Sequence, residues 1–89
     1  MALSVVKEEV NARQGIITIR GDTQAEVSTM AARELAISRA TAHGLSKPGI
    51  SGNASIYPVD AEGKTSEDLM QGRGRVAGYH AEWPVSGSL

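Results

Sequence analysis

The sequence predicts an α+β fold: a small antiparallel sheet in ββαββ order, one helix packed on one face of it, and a short helical turn before the last strand. Three observations lead there. Two β-branched runs flank a polar turn near the N-terminus. The stretch from Thr23 to Ala42 carries helix start and stop signals, and the residues after Arg75 alternate apolar with polar.

Leu3 to Val10 and Gly15 to Arg20 read as strands because Val5, Val6, Ile16, Ile17, Thr18 and Ile19 suit a pleated surface, with Asn11 to Gly15 as the joining turn. Thr23 and Glu26 stand at capping-box spacing and Gly44 stops the element after His43, so Thr23 to Ala42 is predicted as one helix. At about 100° per residue, Val27, Met30, Ala31, Leu35 and Ile37 share an arc expected to lie on the sheet. Glu34 falls within that arc, where a carboxylate needs a partner, and Arg20 is the expected one. The opposite face is small rather than charged: Ser28, Ala32, Ala36 and Ala40 follow one another at i, i+4, flanked by Arg33, Arg39 and His43. Alanine is the best helix former, which is one explanation. The other is a self-association face in which Ala32, Ala36 and Ala40 let a second helix come close.

Leu45 to Gly52, with Pro48, Gly49 and Gly52, reads as a loop. Ala54 to Val59 is the third strand, with Pro58 at an edge or end, and Thr65 or Ser66 caps a helical turn through Met70. The last strand, Arg75 to Trp83, places Ala77, Tyr79, Ala81 and Trp83 on one side and Val76, Gly78, His80 and Glu82 on the other. Pro84 is expected to end it, leaving 84–89 as a loose tail of one domain spanning 1–89.

Composition bounds the function. The 89 residues include 12 Ala, no Phe and no Cys, and the aromatics are Tyr57, Tyr79 and Trp83. So small an aliphatic core, unstapled by disulfide or metal, is expected to be completed by another chain, making a homo-oligomer or a complex. A net charge of −1 is unlike that of domains that live on phosphate contacts. No apolar run has the length of a signal segment or a membrane span, and with cysteine absent the expected setting is cytoplasmic.

Short motifs carry little chemistry. Gly63-Lys64-Thr65-Ser66 lacks the earlier glycine of a P-loop, Pro58 standing there instead. Gly72-Arg73-Gly74-Arg75-Val76-Ala77 has the letters of a dinucleotide fingerprint but precedes a strand instead of following one. Asp60, Glu62, Glu67 and Asp68 surround Gly63 without calcium-loop spacing and read as a solvated acidic loop. Arg20-Gly21-Asp22 and Asn53-Ala54-Ser55 match an integrin tripeptide and a glycosylation sequon out of context. His80 and Glu82 share a strand face as an acid/base or half-metal pair, with a solvent-facing pair as the plainer expectation. No cofactor and no metal is called for.

Gln71-Gly72-Arg73-Gly74-Arg75 resembles the minor-groove hook of AT-hook-like nucleoid proteins, in which a thin backbone carries arginine into narrow A·T-rich grooves. That resemblance implies a nucleic-acid contact through Gln71, Arg73 and Arg75. The alternative is a flexible loop whose arginines offset the acidic stretch before it. In element order and size the chain is similar to small phage-encoded proteins, including anti-CRISPR inhibitors and virion accessory proteins, an analogy of topology alone.

The leading expectation is therefore a non-enzymatic protein-binding module, a phage-type inhibitor or assembly component acting by occlusion or bridging. Arg73, Arg75, Tyr79 and Trp83 are its expected partner-binding residues, with the aromatics as anchors if the helix leaves them uncovered. DNA binding through the hook is the alternative, and a small enzyme with its site at an oligomer interface is the second.

Overall fold

The computed structural model describes residues 3–88. Among these residues, five antiparallel strands form one sheet: β1 (Ser4–Val10), β2 (Gln14–Gly21), β3 (Ser46–Ile50), β4 (Ser55–Val59) and β5 (Gly78–Ser88). The helices are α1 (Gln24–Val27), α2 (Met30–Ala42) and α3 (Glu67–Met70). The strand order is β1-β2-β5-β3, and β4 pairs with β5 on the same edge as β3. The predicted α+β class is the observed one, and α3 is the predicted turn, capped by Ser66. No helix among the described residues is long and apolar enough to cross a membrane.

Asn11 closes the β1–β2 hairpin. Its Oδ1 accepts from the backbone N–H of Arg13 at 3.0 Å and of Gln14 at 2.9 Å, satisfying groups that the turn leaves outside the ladder. A Cβ on Gly15 would collide with the Glu9 carbonyl and with Val10, so only glycine lets β2 start this close to β1.

The predicted helix is two helices. Thr29 caps α2 by accepting from the Ala32 N–H at 3.2 Å, while Ser28 Oγ donates back to the carbonyls of Gln24 and Ala25. Two adjacent hydroxyl residues offer the backbone a competing set of partners, and the helix breaks between Val27 and Met30. This break resets the helical phase and corrects part of the expected face: Val27 and Leu35 do pack into the core, but Met30 and Ala31 do not. Ala32, Ala36 and Ala40 are wholly buried, whereas Met30 is 64% exposed and Ala31 and Glu34 face solvent. The alanine stripe does permit close approach, but of the chain's own sheet, so it offers no face to a second helix. Glu34, being outside, needs no arginine from the sheet.

One face of the sheet thus carries the core. Ile17 and Ile19 of β2 and Ala81, Trp83 and Val85 of β5 pack against Val27, the alanine stripe and Leu45. Each such aliphatic side chain, fully buried, contributes about 1.5–3 kcal/mol. Large residues on the sheet demand small ones on α2, which is why alanine rather than leucine fills the contact. Glu8 ties β1 to α2 through Arg39 and through His43, whose Nε2 lies 3.3 Å from Glu8 Oε1, and Arg39 holds the Glu8 carboxyl below its ordinary range.

Two further expectations are corrected at the C-terminal end. Ser46–Ile50, expected as loop, is the edge strand β3, with Lys47 at φ 48° and an irregular register before Gly49. An edge tolerates Pro48 because no outer neighbour needs its N–H. β5 begins at Gly78 rather than Arg75 and runs through Pro84 to Ser88, so the expected tail is strand as far as Ser88, and Leu89 lies outside the described residues. Pro84 fits because β4 pairs up to Glu82 and β3 resumes at Val85. The Pro84 carbonyl accepts from Ser51 N at 2.9 Å, so its missing N–H points into the same gap between the two strands.

Candidate functional site

Neither α1 nor α2 covers the other face of the sheet, and α3 meets the sheet at β4. Alternation sends Ile16, Thr18 and Arg20 of β2 and His80, Glu82 and Pro84 of β5 to this side, opposite Ile17, Ile19, Ala81, Trp83 and Val85. Register then assembles two polar rows across the strands. Arg20 pairs with His80, which pairs with Tyr57. Lys7 pairs with Thr18, which pairs with Glu82. Side chains directly opposite in adjacent strands lie about 5 Å apart at Cβ, so the rows are contiguous.

A groove of about 500 Å³ runs over these rows, with Val6 and Lys7 at one side and Ala61, Glu62 and Gly63 at the other. The latter wall is a turn built by Asp60, whose Oδ1 accepts from the N–H of Glu62 at 2.8 Å and of Lys64 at 3.1 Å. Those N–H groups hold the Asp60 carboxyl below its ordinary range. Gly63, at φ 79°, takes a conformation that side-chain-bearing residues rarely adopt.

The guanidinium of Arg20 occupies a seat between two glycines. Its Nε and Nη2 lie 3.2 and 3.1 Å from where a Cβ on Gly78 would stand, and its Nη1 lies 3.8 Å from the equivalent point on Gly63. Arg20 is half-buried, yet it forms no ion pair and no side-chain hydrogen bond among the described residues. His80 is 8% exposed and its Nε2 is shut off from solvent with no hydrogen-bond partner. Burial pushes the His80 imidazole below its ordinary value, the adjacent Arg20 cation pushes it further, and Glu82 opposes both. Tyr57 donates its hydroxyl to Glu82 Oε2 at 2.9 Å and sets its ring edge-on to His80 at 5.7 Å. Burial, then this bond to Glu82, pushes the Tyr57 phenol up to about 12.

Chemically, the groove holds one fixed donor–acceptor pair, one neutral imidazole and one cation that forms no direct ion pair among the described residues. His80 and Glu82 do share a face, as the alternation predicts, but they form no hydrogen-bonded acid/base pair, since Glu82 accepts the hydrogen bond of the Tyr57 hydroxyl instead. His80 is also buried rather than solvent-facing.

The expected partner-binding residues lie elsewhere and do not converge. Trp83 is a core residue, 8% exposed, donating Nε1–H to the Val27 carbonyl at 3.2 Å. Tyr79 is half-buried against the same core, so neither aromatic stands free as an anchor. Arg73 is exposed and paired with Asp68 at 3.0 Å, and Gln71 donates to Glu67 at 3.1 Å, so both fold back onto α3. Arg75 is exposed in the segment before β5. Arg20, Tyr57, Thr18 and Lys7 were missed as site residues. The available signal was the polar half of the β2 alternation, Thr18 and Arg20 between Ile17 and Ile19, which matches His80 and Glu82 on β5. No family model, curated protein or solved structure matches this chain.

Proposed function

We propose that the chain is a non-enzymatic binding module that receives a protein partner on the face of its sheet opposite α1 and α2 and acts by occluding or bridging that partner. The observation that carries this reading is Arg20, a half-buried cation that forms no direct ion pair among the described residues, on a groove of about 500 Å³. Its nitrogens remain open to water, and a partner carboxylate that replaces that water gains a charge-assisted, two-pronged bond. Val6 and Ile16, 46% and 41% exposed on the same face, add apolar contact at its margin. A cytoplasmic inhibitor or assembly component is the role in which such docking suffices.

Capture from an extract of the source organism, run with the wild type, Arg20→Glu and the double variant Arg73→Glu/Arg75→Glu, tests it. A partner retained by the double variant and lost with Arg20→Glu supports docking in the groove. One retained by Arg20→Glu and lost with the double variant moves the site to the loop before β5 and overturns the reading; if that partner is duplex DNA, the hook is its explanation.

A further inference from the structure

The cross-strand pair of Arg20 and His80 presents a cation and an ionisable ring to one groove, and neither has a partner there. The polar groups that share the groove with the ring are Lys7 from β1, Thr18 and Arg20 from β2, Tyr57 from β4, Glu62 from the turn and Glu82 from its own strand, with Asp60 acting on Arg20 from the base of the turn. Several of these are already committed. Lys7 bonds Glu9 at 2.7 Å, Glu82 accepts from Tyr57, and Asp60 is spent on the N–H groups of its turn. Asp60 acts on Arg20 only through space, and no carboxylate among the described residues is in direct contact with the guanidinium.

Resting on the docking reading above, we propose that the groove takes a single aspartate or glutamate side chain of an extended partner segment, bonded to the Arg20 guanidinium, and that its arrival draws a proton onto His80. A polyanion fits poorly, because Glu62 and Glu82 line the same groove and Lys7 and Arg20 only balance them. A monovalent carboxylate matches the two prongs of the guanidinium. A side chain suits better than a chain end. Ile16 lies one row past Thr18, opposite Glu9 and Pro84, so a segment that covers it continues beyond the anchored charge.

The proton follows by linkage. With the groove empty, burial and the Arg20 cation outweigh Glu82, and the imidazole takes a proton only below its ordinary value. A carboxylate on Arg20 offsets the repulsion from that cation and raises the affinity of His80 for a proton. Reciprocally, acid tightens carboxylate binding by the same factor.

The test is a nuclear magnetic resonance titration of the full chain with a capped, amidated peptide holding one glutamate between two valines, its glutamine counterpart, and acetate. The glutamate peptide is expected to shift the Arg20 Nε and His80 ring signals, to raise the His80 titration midpoint, and to bind at least about threefold more tightly at pH 6.0 than at pH 7.5. Arg20→Gln abolishes those shifts, and the His80 midpoint in the wild type reads the proposal without any variant. Equal response to the glutamine peptide, an equal response at Arg33, Arg73 and Arg75, or an unmoved His80 midpoint overturns it. Acetate binding as tightly as the peptide overturns the peptide segment in favour of a free small carboxylate. The two tests fail separately: Arg20-dependent capture with a silent His80 keeps sheet-face docking and removes the carboxylate, and the reverse keeps the carboxylate site without a docked protein.

Discussion

The two faces of the sheet are built from adjacent residues and obey different rules. Ile17, Ile19, Ala81, Trp83 and Val85 are sealed beneath α1 and α2, where shape and volume decide what fits. Thr18, Arg20, His80 and Glu82 sit one position along and look into a groove in which hydrogen bonding and charge decide. Thr18 and His80 are as inaccessible as many core residues, at 4% and 8% exposure, so burial alone does not separate the faces. The covering does. The helices α1 and α2 supply apolar contact on one side, and over the groove on the other the cover is polar residues and a five-residue turn from Asp60 to Lys64.

The largest contrast is expected between neighbours on β2. Ile19→Ala removes a wholly buried side chain beneath the alanine stripe and is expected to cost about 2–5 kcal/mol, lowering the melting temperature by roughly 8–40 °C. Thr18→Ala, one residue away and open to the groove, is expected to cost no more than about 1 kcal/mol. Thermal melts of the two variants check this, and equal losses would mean that both faces are packed cores.

A smaller effect distinguishes the faces by pH. His80 in the unfolded chain takes a proton near its ordinary value of 6.5, whereas in the fold it does so only at lower pH. Between those values the unfolded state binds more protons, so stability falls as pH drops through that window and is flat above it, at a slope of no more than about tenfold in the folding constant per pH unit. Denaturant unfolding at pH 7.5 and 5.5 should show this loss in the wild type and a much reduced one in His80→Leu. An unchanged loss in that variant would assign the acid sensitivity to other groups.

The smallest expected effect is spectroscopic. The Tyr57 phenol is expected to ionise about two units above its ordinary 10.0, with a midpoint near 12, read from tyrosinate absorbance against a Tyr57→Phe control. Glu82→Gln should lower that midpoint without returning it to the ordinary value, since burial, the larger cause, remains. A full return would make the Glu82 bond the whole cause.

Much of this contrast was legible in the sequence. The alternation of β5 separates Tyr79, Ala81 and Trp83 from His80 and Glu82, and the structure keeps that separation. The β-branched runs mark β1 and β2 to within a residue or two. Failures came where a local rule depended on a distant partner. Ser28 and Thr29 break the helix and turn the alanines inward, which a single helical wheel over Thr23 to Ala42 conceals. Pro84 looks like a strand end until β4 and β3 leave a gap opposite it. Trp83 and Tyr79 look like anchors until α1 and α2 cover their side of the sheet.

The candidate site was less legible than the fold. His80 and Glu82 were visible as a pair on one face, but Arg20 was assigned to Glu34 on the helix, and Gly63 and Gly78 carry no mark of the seat they make. That seat exists because β2, β5 and the turn from Asp60 bring glycines from distant parts of the chain to either side of one guanidinium.

By itself, the sequence determined the fold class, the two-sided character of β2 and β5, and the capped turn of α3, because periodicity and capping act over a few residues. Only the tertiary structure decided which helix face is buried, that β5 passes through Pro84, and that Arg20 meets His80. Those outcomes rest on strand register and helix phase, which are set by packing between elements far apart along the chain.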